Sequence, residues 1–184
     1  MTPRGQARGT HLEVVCGKEF APLIGAAAHV YGAAMARGPE LVVQRREIMQ
    51  SHLDRAGFVA VTATAADDAD NLAGFGYGYL GRSGEWWHDV VARALGRART
   101  RHWLDDAFEI AELHVLPDHQ GHGLGRQLLD RLLAETAARS VVLSTHDRES
   151  RARSLYRSFG FVDLLTGFVF PGSAEVYAVM GLER

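Results

Sequence analysis

ELHVLPDHQGHGLGRQLLDRLL, residues 112–133, is the stretch whose reading decides the fold. Its first residues finish a strand expected over 107–115, and Pro117 stops that strand by removing a backbone donor. Its last residues open an amphipathic helix expected over 124–139, with Leu124, Leu128, Leu129, Leu132 and Leu133 on one stripe. Between them, Gly121, Gly123 and Gly125 let successive backbone N–H groups turn inward with no Cβ in the way. Those groups stand at a helix N-terminus, where the macrodipole favours an anion, and Arg126 adds a charge. The expected ligand is a phosphate or pyrophosphate. Such a loop has two other readings: a tight turn that binds nothing, and a dinucleotide site. The dinucleotide site belongs to an early strand–helix–strand unit with an acidic residue ending the next strand. Here the loop lies past the middle of the chain, and Asp147 stands 22 residues beyond Gly125.

Reading outward, HLEVVC (11–16) is a first strand. Phe20, Leu23, Ile24, Ala27, Tyr31, Ala34 and Met35 then recur at helical spacing until Gly38-Pro39. A second helix is expected over 40–53, with Leu41, Ile48, Met49 and Leu53 inward. GFVAVTATA (57–65) and LAGFGYGYLG (72–81) read as a hairpin around a turn at Asp67, Asp68, Asp70 and Asn71. The glycines at 74, 76 and 78 point to bulges or close backbone approach. A helix is expected at 85–95, followed by the arginine-rich GRARTRH. Beyond the central helix come a strand at 141–145, a helix at 148–160 closed by Gly160, and final strands at 161–165 and 175–182 around a Gly-Ser turn. No linker or repeat interrupts the chain, so residues 1–184 are expected to form a single domain.

Composition narrows the function classes. Hydrophobic residues are 47% and charged residues 23% of 184, an ordinary globular balance. The net charge of -2 argues against a nucleic-acid binder held by phosphate contacts. Of the 20 basic side chains only Lys18 is a lysine, so a Schiff-base mechanism has one candidate and no GK[ST] phosphate loop exists. The lone Cys16 excludes an intramolecular disulfide and a multi-cysteine zinc site, and reads as a small core residue in the first strand. MTPRGQARGT carries no apolar targeting core, and no apolar run approaches a membrane span. A cytoplasmic protein without a membrane or nucleic-acid partner is expected.

The 112–133 stretch, followed by RSLYRSFGFVDL, resembles the GCN5-related N-acetyltransferase (GNAT) superfamily. Gln120, Gly123 and Gly125 match its Gln/Arg-x-x-Gly-x-Gly/Ala pyrophosphate motif. Leu155-Tyr156 with Gly160-Phe161 matches its last-helix motif in order and separation. The close match covers about residues 109–165. The resemblance implies an α/β (α+β) fold: a mixed, mostly antiparallel central sheet of six to seven strands, flanked by helices and splayed in the middle to admit acetyl-CoA. It implies that Leu113, His114 and Val115 pair through their backbone with the pantetheine arm of coenzyme A. It implies that the amides of Gln120, Gly121, His122, Gly123, Leu124, Gly125 and Arg126 hold the pyrophosphate. One position departs from the pattern: Glu149 stands where the family often has a cofactor-contacting asparagine.

Acetyl transfer to an amine needs a base for the ammonium, because only the free amine attacks the thioester, and an acid for the departing thiolate. Tyr156 matches the family tyrosine near the cofactor sulfur, and a phenol stays protonated at neutral pH. For the base, Glu109 and Glu112 lie three apart on one strand and so face opposite ways under ideal alternation. Glu112 shares its face with His114, a third option that titrates near neutrality. Glu112 is slightly favoured. The reading is an acetyl-CoA-dependent N-acetyltransferase acting on a small-molecule amine, attracted by Asp105, Asp106, Glu109 and Glu112. The alternatives are a protein acetyltransferase, N-terminal or lysine-directed, and a non-catalytic acyl-CoA-binding sensor. Homodimers are common in the family, though no residue here decides the point. His119 and His122 lack partner ligands, so no metal is expected. Arg93, Arg97, Arg99 and Arg101 read as a solvated helix face. Trp86 and Trp87 read either as an acceptor platform or as the anchor of an inserted helix.

Overall fold

The computed structural model describes residues 10–65 and 68–184, with backbone alone at 68–70. Residues 1–9 lie outside the described residues, and so does the turn residue Asp67. The strands are β1 (Thr10–Val15), β2 (Val59–Ala65), β3 (Asp68–Leu80), β4 (Ala107–Val115), β5 (Ser140–His146), β6 (Val162–Phe168) and β7 (Tyr177–Glu183). The α-helices are α1 (Gly17–Phe20), α2 (Ile24–Met35), α3 (Pro39–His52), α4 (Trp86–Leu95), α5 (Arg97–Trp103), α6 (Leu124–Ala134) and α7 (Arg151–Ser158). The strands form one open sheet in the order β1-β2-β3-β4-β5-β7-β6. The β1–β2, β2–β3, β5–β7 and β6–β7 ladders are antiparallel, and β4–β5 is parallel. This is the mixed, mostly antiparallel sheet flanked by helices that the sequence implied. The parallel ladder runs from Ala107↔Ser140 to Ile110↔Leu143, while β4 continues to Val115 and β5 to His146.

Contacts group the chain into two compact units. The first holds the chain up to Gly78 together with Glu112–Glu135. Here α6 packs its leucine stripe inward: Leu124, Leu128, Leu129 and Leu132 are all buried. Two glycines on β3 set the depth of that packing. A Cβ at Gly74 would lie 3.0 Å from the His114 carbonyl and 3.1 Å from Leu128 Cδ1; one at Gly76 would lie 2.8 Å from Leu113 Cδ1. At these two positions the strand glycines reflect close approach, one of the two readings the sequence left open. The second strand of the hairpin starts earlier than expected. β3 begins at Asp68, with register shifts at Thr64, so Asp68, Asp70 and Asn71 belong to the strand. The expected helix over 20–35 is broken into α1, a 3₁₀ turn at Ala21–Leu23, and α2, because Pro22 cannot donate in a helix interior.

Three expectations in this unit are corrected. Leu41 is 45% exposed and Ile48 36%, so neither faces inward; Met49 is buried as expected, and half-buried Val42, Arg45 and His52 share its face. Cys16 is exposed and stands at the N-cap of α1, where its N–H donates to Glu19 Oε2 at 2.8 Å, so it is not a core strand residue. The helix expected over 124–139 ends at Ala134. The buried Thr136 hydroxyl accepts from the Ala138 N–H at 3.2 Å, a side-chain bond that competes with continued helix.

The second unit holds Tyr79–Ala111 and Thr136–Arg184. Its core gathers Val91, Leu95, Leu104, Ala107, Val142, Leu164, Phe170 and Val179, with Trp87 and Trp103 packed against it. Full burial of each large apolar side chain contributes about 1.5–3 kcal/mol. The arginine-rich GRARTRH segment forms a helix of its own, α5, set off from α4 at Gly96, whose φ is 74°. Arg97, Arg99 and Arg101 are exposed, as expected, and Arg99 Nη2 donates to the Leu164 carbonyl at 2.7 Å. Among the described residues no helix is long and apolar enough to cross a membrane. Substituting Gly74→Ala is expected to cost about 1–3 kcal/mol, because the carbonyl it meets belongs to β4 backbone and cannot rotate away. Urea denaturation measures this, and an unchanged midpoint contradicts the close-approach account.

Candidate active site

The glycine loop takes the form its composition predicts. A 3₁₀ turn at Pro117–His119 leads into Gln120, and Gly121 and Gly123 have φ of 80° and 86°, backbone that favours glycine. Gly123 is the N-cap of α6, and no side chain caps that helix. A Cβ on either glycine would meet nothing within 4 Å, so the space over the loop is open. Gln120 does not point into that space. Its Nε2 donates to the Val115 carbonyl at 2.9 Å and ties the loop to the end of β4. The Leu116 N–H is also taken, by the Ala73 carbonyl at 2.9 Å. The result is a fixed strand end, a tied loop and an uncapped helix N-terminus in succession, a backbone arrangement of the kind that suits an anion.

Beside this strand end, the two glutamates of β4 have different partners. Glu109 is buried and accepts from the Tyr79 hydroxyl at 3.1 Å. Glu112 is also buried, and both its oxygens are engaged. Arg45 Nη1 donates to Oε1 at 3.1 Å, and His114 Nε2 lies 2.5 Å from Oε2. The alternation of β4 thus places Glu112 and His114 on one face, as expected. Tyr31 completes a closed group. The Arg45 guanidinium sits over its ring at 4.9 Å, and its ring meets the His114 imidazole edge-on at 5.3 Å. Burial pushes the Glu112 carboxyl up, but the His114 hydrogen bond, His114 itself and the Arg45 charge outweigh it and hold the carboxyl below its usual range.

His52, seven residues after Arg45 and on the same face of α3, lies 2.9 Å from the Tyr77 hydroxyl through Nδ1. Burial, aided by the Arg55 charge, lowers its pKa to about 4. Sequence reasoning passed over Arg45, His52 and Tyr77 and read Tyr31 only as core. The available signal was the spacing Val42, Arg45, Met49, His52, which is as helical as any apolar stripe.

Tyr156 is buried on α7. The Ser150 hydroxyl caps that helix by accepting from the Arg153 N–H at 3.2 Å. Its other end is a Schellman motif. Gly160, at φ 95°, donates to the Arg157 carbonyl, Phe161 donates to the Tyr156 carbonyl, and the rings of Tyr156 and Phe161 pack 5.8 Å apart. The Gly160-Phe161 pair is therefore the device that fixes the turn of helix bearing Tyr156. Glu149, at the position departing from the family pattern, pairs with Arg157 at 2.9 Å on the surface. Trp86 is 56% exposed and packs on Phe170 at 5.6 Å, whereas Trp87 Nε1 donates to Ser144 Oγ at 3.3 Å.

Similarity to known proteins gives the family. Residues 66–163 match the acetyltransferase (GNAT) domain. The chain is 35% identical over 187 residues to the GCN5-like protein acetyltransferase Rv2170 of Mycobacterium tuberculosis, covering 86% of this chain and 90% of that protein. It belongs to the GNAT acetyltransferase family and is an acyltransferase. Its fold is similar to that of the ribosomal-protein-S18-alanine N-acetyltransferase of Escherichia coli, with TM-score 0.64, 18% identity, and 95% and 94% of the two chains covered. It is also similar to that of the PaiA N-acetyltransferase of Thermoplasma acidophilum solved with coenzyme A, with TM-score 0.59, 14% identity, and 96% and 99% covered.

The buried histidine predicts an acid-sensitive stability. Between about pH 6.5 and 4 the unfolded state binds the His52 proton and the folded state does not, so stability falls as pH drops through that window. The loss attributable to His52 is on the order of 1–2 kcal/mol after allowing for solvent screening. Urea unfolding at pH 7, 5.5 and 4 should show it, and His52→Asn should flatten the slope. An equal slope in the variant contradicts the assignment.

Proposed function

We propose that this protein transfers an acetyl group from acetyl-CoA to a primary amine of a protein. The observation that supports cofactor use most directly is the uncapped N-terminus of α6 behind Gly121 and Gly123, with open space over both glycines. The amides of Gly121, His122, Gly123, Leu124, Gly125 and Arg126 would hold the pyrophosphate, the Gln120 N–H being donated to the Pro117 carbonyl at 3.2 Å, and the backbone of Leu113, His114 and Val115 would hold the pantetheine arm. When bound, acetyl-CoA supplies a thioester carbonyl and a thiolate leaving group. Tyr156 carries a phenol hydroxyl and is the donor for that thiolate. Proton removal from the acceptor ammonium falls to the Glu112–His114 pair, whose two groups are in direct contact. Glu109, bound to Tyr79, remains the second carboxylate candidate.

The acceptor class rests on two observations. Glu112 is internally neutralised by Arg45, Glu109 is buried, and Asp106 Oδ2 accepts from the Arg139 N–H at 3.1 Å. Three of the four acidic groups thought to attract a small cationic amine are therefore engaged or enclosed, which weakens that argument. The relative sharing 35% identity is named a protein acetyltransferase, which favours a lysine or N-terminal amine. A thiol-release assay with acetyl-CoA against lysine peptides, peptides with free N-termini, and spermidine tests the reading. Turnover is expected on a peptide; turnover confined to spermidine returns the assignment to small molecules. Coenzyme A is expected to raise the melting temperature by mass action, and no shift at millimolar concentration overturns cofactor use. Gly123→Val should weaken that shift. Its Cβ meets open space, so the cause is the left-handed backbone, which a β-branched residue adopts only with strain. An unchanged shift in a folded variant removes the loop from the cofactor site.

A further inference from the structure

The group around Glu112 assigns a proton path that the paired glutamates alone leave open. Arg45, Glu112, His114 and Tyr31 form a closed ring of contacts: guanidinium to carboxylate at 3.1 Å, carboxylate to imidazole at 2.5 Å, imidazole edge to phenol ring at 5.3 Å, and guanidinium over that phenol ring at 4.9 Å. An ionised carboxylate only accepts hydrogen bonds. The hydrogen between Glu112 Oε2 and a neutral His114 therefore belongs to Nε2, and the imidazole lone pair lies on Nδ1.

We propose that Arg45 is a positioning residue which, by keeping Glu112 ionised, makes His114 Nδ1 the group that takes the acceptor's proton. The inference rests on the amine-acetylation reading. In the step, one N–H bond of the ammonium breaks, its electron pair stays on the amine nitrogen, and the proton forms a bond to Nδ1. The resulting imidazolium donates from Nε2 to the anionic Glu112. A proton delivered to Glu112 itself has to displace a guanidinium or an imidazole, both of which prefer the anion. The surrounding groups leave this arrangement in place. Tyr31 of α2 meets the group through its ring, and Tyr77 of β3 is engaged through its hydroxyl with His52. His52 of α3 has a pKa of about 4 and is uncharged there. Arg55, in the turn after α3, acts on His52.

Two measurements test this. Long-range proton–nitrogen spectra of the ligand-free protein, with His114 assigned by its loss in His114→Gln, read the tautomer directly. The Nε2–H form is expected at neutral pH, and the Nδ1–H form overturns the proposal. The second is the pH dependence of kcat/KM with a lysine peptide as acceptor. Arg45→Met is expected to move the acid limb to higher pH by roughly one unit, because the carboxylate no longer shares its charge with a guanidinium. Arg45→Lys, which keeps the charge, is expected to restore the limb. His114→Gln is expected to lower kcat by about 10²–10⁴. A superimposable limb in Arg45→Met, or full kcat in His114→Gln, overturns the proposal. Melting curves establish that each variant is folded, and if Arg45→Met is not, the wild-type tautomer and His114→Gln still decide. A wild-type protein that acetylates no amine sinks the acetyl-transfer reading, and the tautomer, measured in wild type and in Arg45→Met, still reports separately on the Glu112–His114 pair and on Arg45.

Discussion

A carboxylate taken out of water must find partners, and Glu112 is the point from which one half of this molecule is organised. An unpaired buried charge costs several kcal/mol, and removal of one member of a buried pair typically costs about 3–5 kcal/mol. Glu112 meets that constraint with a guanidinium from α3 and an imidazole two residues along its own strand. The requirement then spreads outward. Arg45 has to face the sheet, so α3 turns its polar residues inward and leaves Leu41 and Ile48 to solvent. Tyr31 has to lie flat beneath the guanidinium, which sets the inner face of α2. The contact of α2 with α3 is correspondingly tight: a Cβ at Gly32 would fall 2.5 Å from Val42 Cγ2.

The second constraint is backbone access. β3 carries glycine where β4 and α6 press closest, and the loop before α6 carries glycine where the backbone must be left-handed. One residue type thus answers two separate demands, absence of bulk at Gly74 and Gly76 and freedom of φ at Gly121 and Gly123. These positions differ in what they tolerate. The strand sites are limited by neighbouring atoms, whereas the loop sites have open space and are limited by dihedral angle alone.

Much of this was legible in the amino-acid sequence. The bounds of β4, the start and leucine stripe of α6, the glycine loop, and the closing role of Gly160 follow from local rules of period, capping and chain stiffness that operate over a few residues. What escaped depended on partners distant in sequence. Arg45 and His52 look like a solvated face because apolar periodicity treats charge as outward; only the carboxylate 67 residues away on β4 explains Arg45, and only the Tyr77 hydroxyl on β3 explains His52. The arginines of α5 did read correctly as an exposed helix face, yet the separation of that helix from α4 did not, because its inward contribution comes down to Trp103 packed on the neighbouring core. The early end of α6 was equally hidden. The following Ala137 and Ala138 favour helix, but Thr136 is held by bonds through its own hydroxyl and through its carbonyl, which accepts from Arg184 near the end of the chain.

The near-absence of lysine carries a meaning separate from catalysis. Guanidinium groups stay protonated and offer no free amine, so an arginine surface is chemically silent toward acetyl transfer. In this sequence the one ε-amine is Lys18, exposed on the short helix α1. An amine-acetylating enzyme built this way keeps the cationic side chains that solubility and ion pairing require, while presenting its own chemistry with a single side chain to modify.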